Sequence, residues 1–179
     1  MKVVESLSQH LKATAYIWGG LSLDIYAGQF WREHSDIDYF IQDLHKLANQ
    51  FVDRFCHEGW HVRRVLDDYI LVAKKDEIKL HLGHIDITGI VQWKHNGNNG
   101  IVTFPSYWLR QEPVEFYTVK VHVVEPEFGY VLKSHPQLMN PEWKPRNRDL
   151  VDIKRLSDIL SEKQVDLATL LSQVASISS

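Results

Sequence analysis

Several features typical of particular protein classes are scarce or missing in this sequence of 179 residues. Cys56 is the only cysteine, so no intrachain disulfide can form. No segment approaches the roughly 20 apolar residues of a membrane-spanning helix, and the N-terminal stretch lacks the uninterrupted apolar region of a secretion signal. The formal net charge is −3, without the positive excess of a general nucleic-acid binder. These absences lead us to expect a cytoplasmic protein that is not a membrane protein and is unlike nucleic-acid-binding proteins.

What is present is an ordinary globular composition, 44% hydrophobic and 24% charged. Apolar residues recur at helical spacing from Leu44 to Phe55, whereas β-like runs dominate between residues 60 and 124. The order helix, strand, helix, strand, helix, then mainly strands, then two helices predicts an α+β fold with a mixed β-sheet flanked by helices. We expect residues 1–145 to form the main domain, with residues 146–179 as a C-terminal helical segment packed on the same domain.

Two carboxylates stand close together near the start of a predicted buried strand. Asp36 and Asp38 flank Ile37, and side chains two residues apart point to the same face of a strand. Like charges in this position repel each other unless a cation lies between them. Mg²⁺ is typically held by one or two carboxylates together with substrate phosphates. The pattern alone is weak, because two solvated carboxylates at a strand end, paired with Arg32 or a lysine, would look the same.

A glycine pair upstream makes the pattern more specific. Gly19 and Gly20 follow a short predicted strand and precede a short helix. Glycines let the backbone approach a bulky anion closely, and the first N–H groups of a helix favour a phosphate. The Ser22 hydroxyl would add a hydrogen bond, and Arg32 would offer a cationic contact. An ordinary tight turn remains the alternative for the glycine pair.

A third carboxylate, Asp86, lies between apolar neighbours in another strand-like run. If that run lies beside the strand of Asp38, the three carboxylates converge on one site. Such a site suits one or two Mg²⁺ ions that hold a nucleoside triphosphate for in-line attack.

Together these segments resemble the nucleotidyltransferase superfamily, which has the DNA polymerase β-like fold. The narrower resemblance is to the lincosamide and aminoglycoside-2''-type adenylyltransferases. It is carried by Gly19–Ser22, Arg32–Asp38 and Ile85–Ile87, and is supported by Asn96–Gly100, Val119–Glu125 with Lys133, and Arg146–Asp152. Trp18 departs from the pattern, since the lincosamide enzymes tend to carry an aspartate there.

The resemblance implies a role for each matching residue. Asp36 and Asp38 would bind Mg²⁺, and Asp86 would be a third ligand or a catalytic base. Gly19, Gly20 and Ser22 would contact the triphosphate. Arg32 and Lys133 would contribute further contacts to the same group.

The implied function is Mg²⁺-dependent transfer of a nucleoside monophosphate, most simply AMP from ATP, to a hydroxyl of a small acceptor such as an antibiotic, with release of pyrophosphate. Two alternatives stay open. One is a non-catalytic nucleotide-binding or toxin–antitoxin relative of the same fold, and the other is a nucleotidyltransferase that acts on a protein or an RNA. The chain is expected to be a monomer or a homodimer.

Overall fold

The structure is a computed structural model, and it describes residues 1–88, 90–94 and 100–177. Within these residues the helices are α1 (Lys2–His10), α2 (Gly19–Ala27), α3 (Leu44–His57), α4 (Pro126–Ser134), α5 (Asn147–Glu162) and α6 (Leu167–Leu170). The strands are β1 (Ala15–Trp18), β2 (Ile37–Gln42), β3 (His61–Val65), β4 (Ile70–Lys75), β5 (Ile78–Ile87), β6 (Ile90–Lys94), β7 (Ile101–Pro105), β8 (Val114–Phe116), β9 (Val119–Val123) and β10 (Ala175–Ile177). The predicted α+β class is confirmed.

The strands form one mixed sheet in the order β10-β7-β6-β5-β2-β1-β9-β8. Most neighbours are antiparallel, but β2 runs parallel to β5 and β1 runs parallel to β9. On its other edge β5 pairs with β4 along its first half and with β6 near its end. Both β2 and β5 are therefore interior strands, held by hydrogen bonds on both sides.

Helices cover the two faces of this sheet, and each face has its own apolar core. Residues of α1, α2 and α3 pack on the face that carries Tyr39 and Ile41. Residues of α4 and α5 pack on the opposite face, around Phe40. The strict alternation along β2 fixes which of its side chains reaches which core.

Several sequence predictions need correction. The apolar pattern predicts separate strands over Ile78–Leu82 and Ile85–Val91, but β5 is continuous from Ile78 to Ile87. The C-terminal segment is not purely helical, because α6 has four residues and β10 pairs with β7. The predicted turn at Asn96–Gly100 lies almost wholly outside the described residues. The division of the chain at residue 145 stays a prediction.

Among the helices of the described residues, none combines the length and apolar character that crossing a membrane would require.

One buried carboxyl group makes the stability of this fold depend on pH. Glu5 of α1 is only 8% exposed, and its Oε1 atom has no hydrogen-bond partner among the described residues. Burial raises the pKa of Glu5 to about 7 from its usual 4.5. The folded chain therefore holds a proton that the unfolded chain releases between these two pH values.

We expect the free energy of unfolding to fall as the pH rises from 4.5 to about 7, because the unfolded state gains stability by ionising first. Glu5→Gln should remove this loss, which is on the order of 3 kcal/mol at about 1.4 kcal/mol per pKa unit. Urea unfolding of both proteins at pH 4.5 and at about pH 8 measures the difference. The exposed Glu112→Gln is the matched control. The same effect of Glu5→Gln at both pH values would contradict the prediction.

Candidate active site

The two predicted carboxylates lie at the beginning of an interior strand. Asp36 directly precedes β2, and Asp38 is the second residue of the strand. Asp38 points to the same face as the buried Phe40, since the two residues are separated by one position. Both carboxylates are partly exposed. The strand therefore anchors Asp38 through its core neighbours while the carboxylates stay open to solvent.

The neighbouring strand supplies a histidine that the sequence did not single out for this site. In the parallel pairing of β2 with β5, His81 is the register partner of Asp38. The His81 Nδ1 atom lies 3.4 Å from Oδ1 of Asp38. One ligand atom from each of Asp36, Asp38 and His81 lies within 4.8 Å of the others. These three residues form the only candidate metal cluster of three or more such side chains in the described part of the chain.

The expected convergence of Asp86 with this pair is wrong. The strand that carries Asp86 does lie beside β2, but Asp86 is five positions beyond His81 along β5, or about 16 Å at 3.2–3.4 Å per residue. Five is an odd number, so its side chain also points to the opposite face. Asp86 is exposed. Burial, the largest effect, lowers the pKa of the nearby His84 to about 4, and the charge of Asp86 opposes this in part.

The glycine pair opens α2 next to the carboxylates. Gly19 has a φ of +75°, and a Cβ atom built on it would lie 2.4 Å from Oδ2 of Asp38. A Cβ atom on Gly20 would lie 2.2 Å from Nη2 of Arg32. Any larger residue would displace these side chains, so both glycines are required for the close approach.

The Ser22 hydroxyl is turned inward. It donates a hydrogen bond to the carbonyl of Gly19 at 2.9 Å, and the residue is 6% exposed. Ser22 does not line the cleft described below. Its predicted contact with a triphosphate stays a prediction, while its observed contact stabilises the first turn of α2.

Two cations face this turn and share one buried anchor. Arg32 lies in the loop before β2, and Lys133 lies on α4. Nη2 of Arg32 is 3.2 Å from Oδ2 of Asp152, and Nζ of Lys133 is 2.9 Å from the same oxygen. Asp152 is 1% exposed, so its charge depends on these partners. The place of Asp152 near the start of a predicted helix indicates only a carboxylate that suits the helix dipole, and does not reveal this role.

A second carboxylate of α5 extends the network. Asp149 lies 3.4 Å from Nζ of Lys133 and accepts hydrogen bonds from the Arg146 guanidinium at 2.6 and 3.0 Å. Burial alone would raise the pKa of Asp149, but the hydrogen bonds from Arg146 together with the charges of Lys133 and Arg146 outweigh it and lower the pKa to about 2. Asp149 therefore stays ionised at physiological pH.

The loop that carries Arg32 is fixed by another buried aspartate. Asp24 of α2 is 2% exposed, and its Oδ2 atom lies 2.6 Å from Nε2 of His34. The backbone N–H of Trp31 also donates to this oxygen, at 3.3 Å. The position of Asp24 near the end of a short helix predicts a pairing with Arg32 or His34, and the pairing with His34 is the one observed. The contact leaves Nδ1 of His34 on the side of Gly20.

The candidate metal cluster, the glycine pair and the cations Arg32 and Lys133 line one cleft with a volume of about 530 Å³. Its polar end carries Gly19, Gly20, Asp36, Asp38, His81, Arg32, Lys133 and Arg146. Its apolar wall is built by Trp18, Phe128, Leu132, Pro136, Met139 and Trp143. Trp143 lines this cleft. Trp93 and Trp108, which could also stack on a ligand ring, are instead buried in the core. A cleft of this kind accommodates a ligand with an anionic end and a flat apolar end.

Comparisons with known proteins agree with this architecture. A sequence model of the aminoglycoside-2''-adenylyltransferase family matches residues 1–156. No curated protein matches the chain at a significant level. Lincomycin-bound LnuA, a lincosamide antibiotic adenylyltransferase, is a similar solved structure with a TM-score of 0.65 and 20% identity, over 87% of this chain and 93% of that one.

Two further solved structures have the same fold. ANT(2'')-Ia in complex with adenylyl-2''-tobramycin matches with a TM-score of 0.70 and 14% identity, over 96% of this chain and 91% of that one. An antigenic nucleotidyltransferase-like protein from Paracoccidioides brasiliensis matches with a TM-score of 0.55 and 14% identity, over 96% of this chain and 89% of that one.

The fold and the sequence therefore lead to the same assignment. The similar solved structures establish the fold. The family model covers residues 1–156, which include Asp36, Asp38, the glycine pair and α4. The chain belongs to the aminoglycoside-2''-adenylyltransferase family and is a nucleotidyltransferase.

Proposed function

We propose that the protein transfers the adenylyl group of ATP to a hydroxyl of an antibiotic and releases pyrophosphate. The observation that supports this most strongly is the polar end of the cleft, where Asp36 and Asp38 face the glycine turn and the two cations Arg32 and Lys133. The similar structures supply the acceptor class, because one holds lincomycin and another holds adenylyl-2''-tobramycin.

The residues of the cleft would divide the work of binding ATP. The triphosphate would lie against the backbone of Gly19 and Gly20, where no side chain obstructs it. Arg32 and Lys133 would neutralise phosphate charge from positions that Asp152 already fixes. The apolar wall around Phe128 and Trp143 would receive the base. Holding the reacting groups in place is the largest contribution that such a site makes to phosphoryl-type transfer.

The carboxylates fit a divalent cation. Asp36 and Asp38 offer oxygen ligands on one face of β2, and a cation between them would relieve their repulsion. When bound, the ion would neutralise charge that develops on the phosphate oxygens. We assign Asp36 and Asp38 to holding it, and we assign no part in the reaction to Asp86, which points to the other face of the sheet.

Asp38→Asn should lower the rate of adenylyl transfer at least 100-fold, because it removes a charged ligand at the reacting phosphate. The fold should persist, since Asp38 is partly exposed and its loss reduces like-charge repulsion. Asp86→Asn is the matched comparison on the neighbouring strand and should keep a rate within about threefold of the unmodified protein. Pyrophosphate release in the presence of ATP, a divalent salt and acceptor measures both. Full activity of Asp38→Asn, or inactivity of a folded Asp86→Asn, would contradict this assignment of the site.

The acceptor can be tested directly. Incubation with ATP and lincomycin or tobramycin should give an antibiotic whose mass has increased by one adenylyl group, since a hydroxyl displaces pyrophosphate and retains the AMP moiety. Mass spectrometry of the small-molecule fraction detects the product, and the Asp38→Asn protein is the negative control. Adenylylation of protein or RNA, with every antibiotic unmodified, would overturn the proposed acceptor class while leaving nucleotidyl transfer intact.

A further inference from the structure

We propose that His81 is a ligand of the divalent cation at this site, so that the site prefers an ion with affinity for imidazole, such as Mn²⁺, over Mg²⁺. The inference rests on the proposed function only in placing a divalent cation between the strands. The resemblance of the sequence predicted three carboxylates there, and the structure presents two carboxylates and an imidazole.

The position of His81 is set by the sheet rather than by a flexible loop. Its register partners are Asp38 of β2 on one side and Val72 of β4 on the other. The residues before and after it, Leu80 and Leu82, are fully buried on the opposite face. The imidazole is thus held on the cleft side, beside Asp38, by an interior strand whose register both neighbours fix.

The distances suit two ligands of one ion better than a hydrogen bond. The 3.4 Å between His81 Nδ1 and Asp38 Oδ1 exceeds the usual 2.7–3.2 Å of an N–H···O contact. Two atoms that each lie about 2.1 Å from a metal ion are about 3.0–3.5 Å apart when their bonds meet at 90–110°. A carboxylate oxygen of Asp36 also lies within 4.8 Å of a ligand atom of each of these two residues.

The second ring nitrogen of His81 does not take part in a hydrogen bond among the described residues. This atom, Nε2, is buried. The ring is 35% exposed, so the nitrogen that can reach a ligand in the cleft is Nδ1.

The chemistry of the donor set gives the preference. Mg²⁺ selects oxygen ligands and near-ideal octahedral geometry. Imidazole suits zinc, copper, iron and nickel best, and Mn²⁺ stands lowest in that series of transition ions. Mn²⁺ shares the oxygen ligands of Mg²⁺, but as a transition ion it is less averse to a nitrogen ligand than the harder Mg²⁺. Replacing one carboxylate by a neutral imidazole therefore weakens Mg²⁺ more than it weakens Mn²⁺.

The test uses the metal alone. MnCl₂ is titrated into the nucleotide-free protein, free Mn²⁺ is followed by its electron paramagnetic resonance signal, and bound Mn²⁺ is examined by electron spin-echo for coupling to a nitrogen ligand. MgCl₂ competition gives the ratio of the two affinities. The variants are His81→Ala and His81→Asp, and the exposed His61→Ala of β3 is the matched control.

We expect nitrogen coupling in the unmodified protein and in His61→Ala, and its loss in His81→Ala. We expect His81→Asp to shift the affinity ratio toward Mg²⁺ about tenfold, because it restores a third oxygen ligand. No Mn²⁺ binding, no nitrogen coupling, coupling that persists in His81→Ala, or an unchanged ratio in His81→Asp would each overturn the inference. Nitrogen coupling without adenylyl transfer would refute the proposed function alone, and transfer without nitrogen coupling would refute the role of His81 alone.

Discussion

The parallel register of β2 against β5 is the constraint on which the site depends. It places Asp38 opposite His81, and a slip of one residue would turn Asp38 into the core that now holds Tyr39. The register is strongly specified because β2 is buried on both faces, with Tyr39 and Ile41 in one core and Phe40 in the other. Packing that stabilises the fold therefore also determines which donor atoms meet. The polar pair lies where β2 emerges from these cores, so the carboxylates stay hydrated while their backbone is rigid.

The second constraint is electrostatic and joins the C-terminal helix to the cleft. Asp152 of α5 is almost fully buried, and an unpaired charge there would cost several kcal/mol. Arg32 and Lys133 compensate it from two different elements. Because one oxygen accepts both cations, their side chains converge before any anion binds. Helix α5 thus holds Arg32 and Lys133 in place through Asp152. The sequence of α5 alone indicates only an amphipathic helix that packs on the domain. A cleft arranged in this way needs little reorganisation when a polyphosphate enters.

What the sequence could reveal was local. The alternation of Asp36, Ile37 and Asp38 and the glycine pair are periodic or turn patterns within a few residues, and α3 follows from its apolar stripe. The third member of the cluster, His81, is brought to the site by the pairing of β2 with β5, which lie about 40 residues apart in the chain. Hydrophobic periodicity does not determine which strands pair. Gly83 lies inside the continuous strand β5, where Trp93 packs against it. A Cβ atom there would lie 3.1 Å from the indole Nε1 of Trp93. In a continuous β5, side chains alternate between the two faces of the sheet. Leu80 and Leu82 are buried on one face, so His81 points to the cleft on the other. Asp86 lies on the same face as the two leucines.

The exchange of a carboxylate for an imidazole changes the charge of the site as well as its ligands. Two carboxylates and a neutral ring carry one negative charge less than three carboxylates, so a bound dication keeps more of its charge for the phosphates of the substrate. The nearby cations are less available for that purpose, because Asp149 and Asp152 already compensate Lys133 and Arg32. Paired cations attract an anion less strongly than free ones. The histidine and the buried aspartates therefore act in opposite directions on the same potential. His81, as a neutral ligand, would leave more of the positive charge of the metal ion uncompensated. Asp149 and Asp152 reduce the positive potential along the wall where the phosphates would lie. The attraction for the substrate would therefore be strongest at the metal ion.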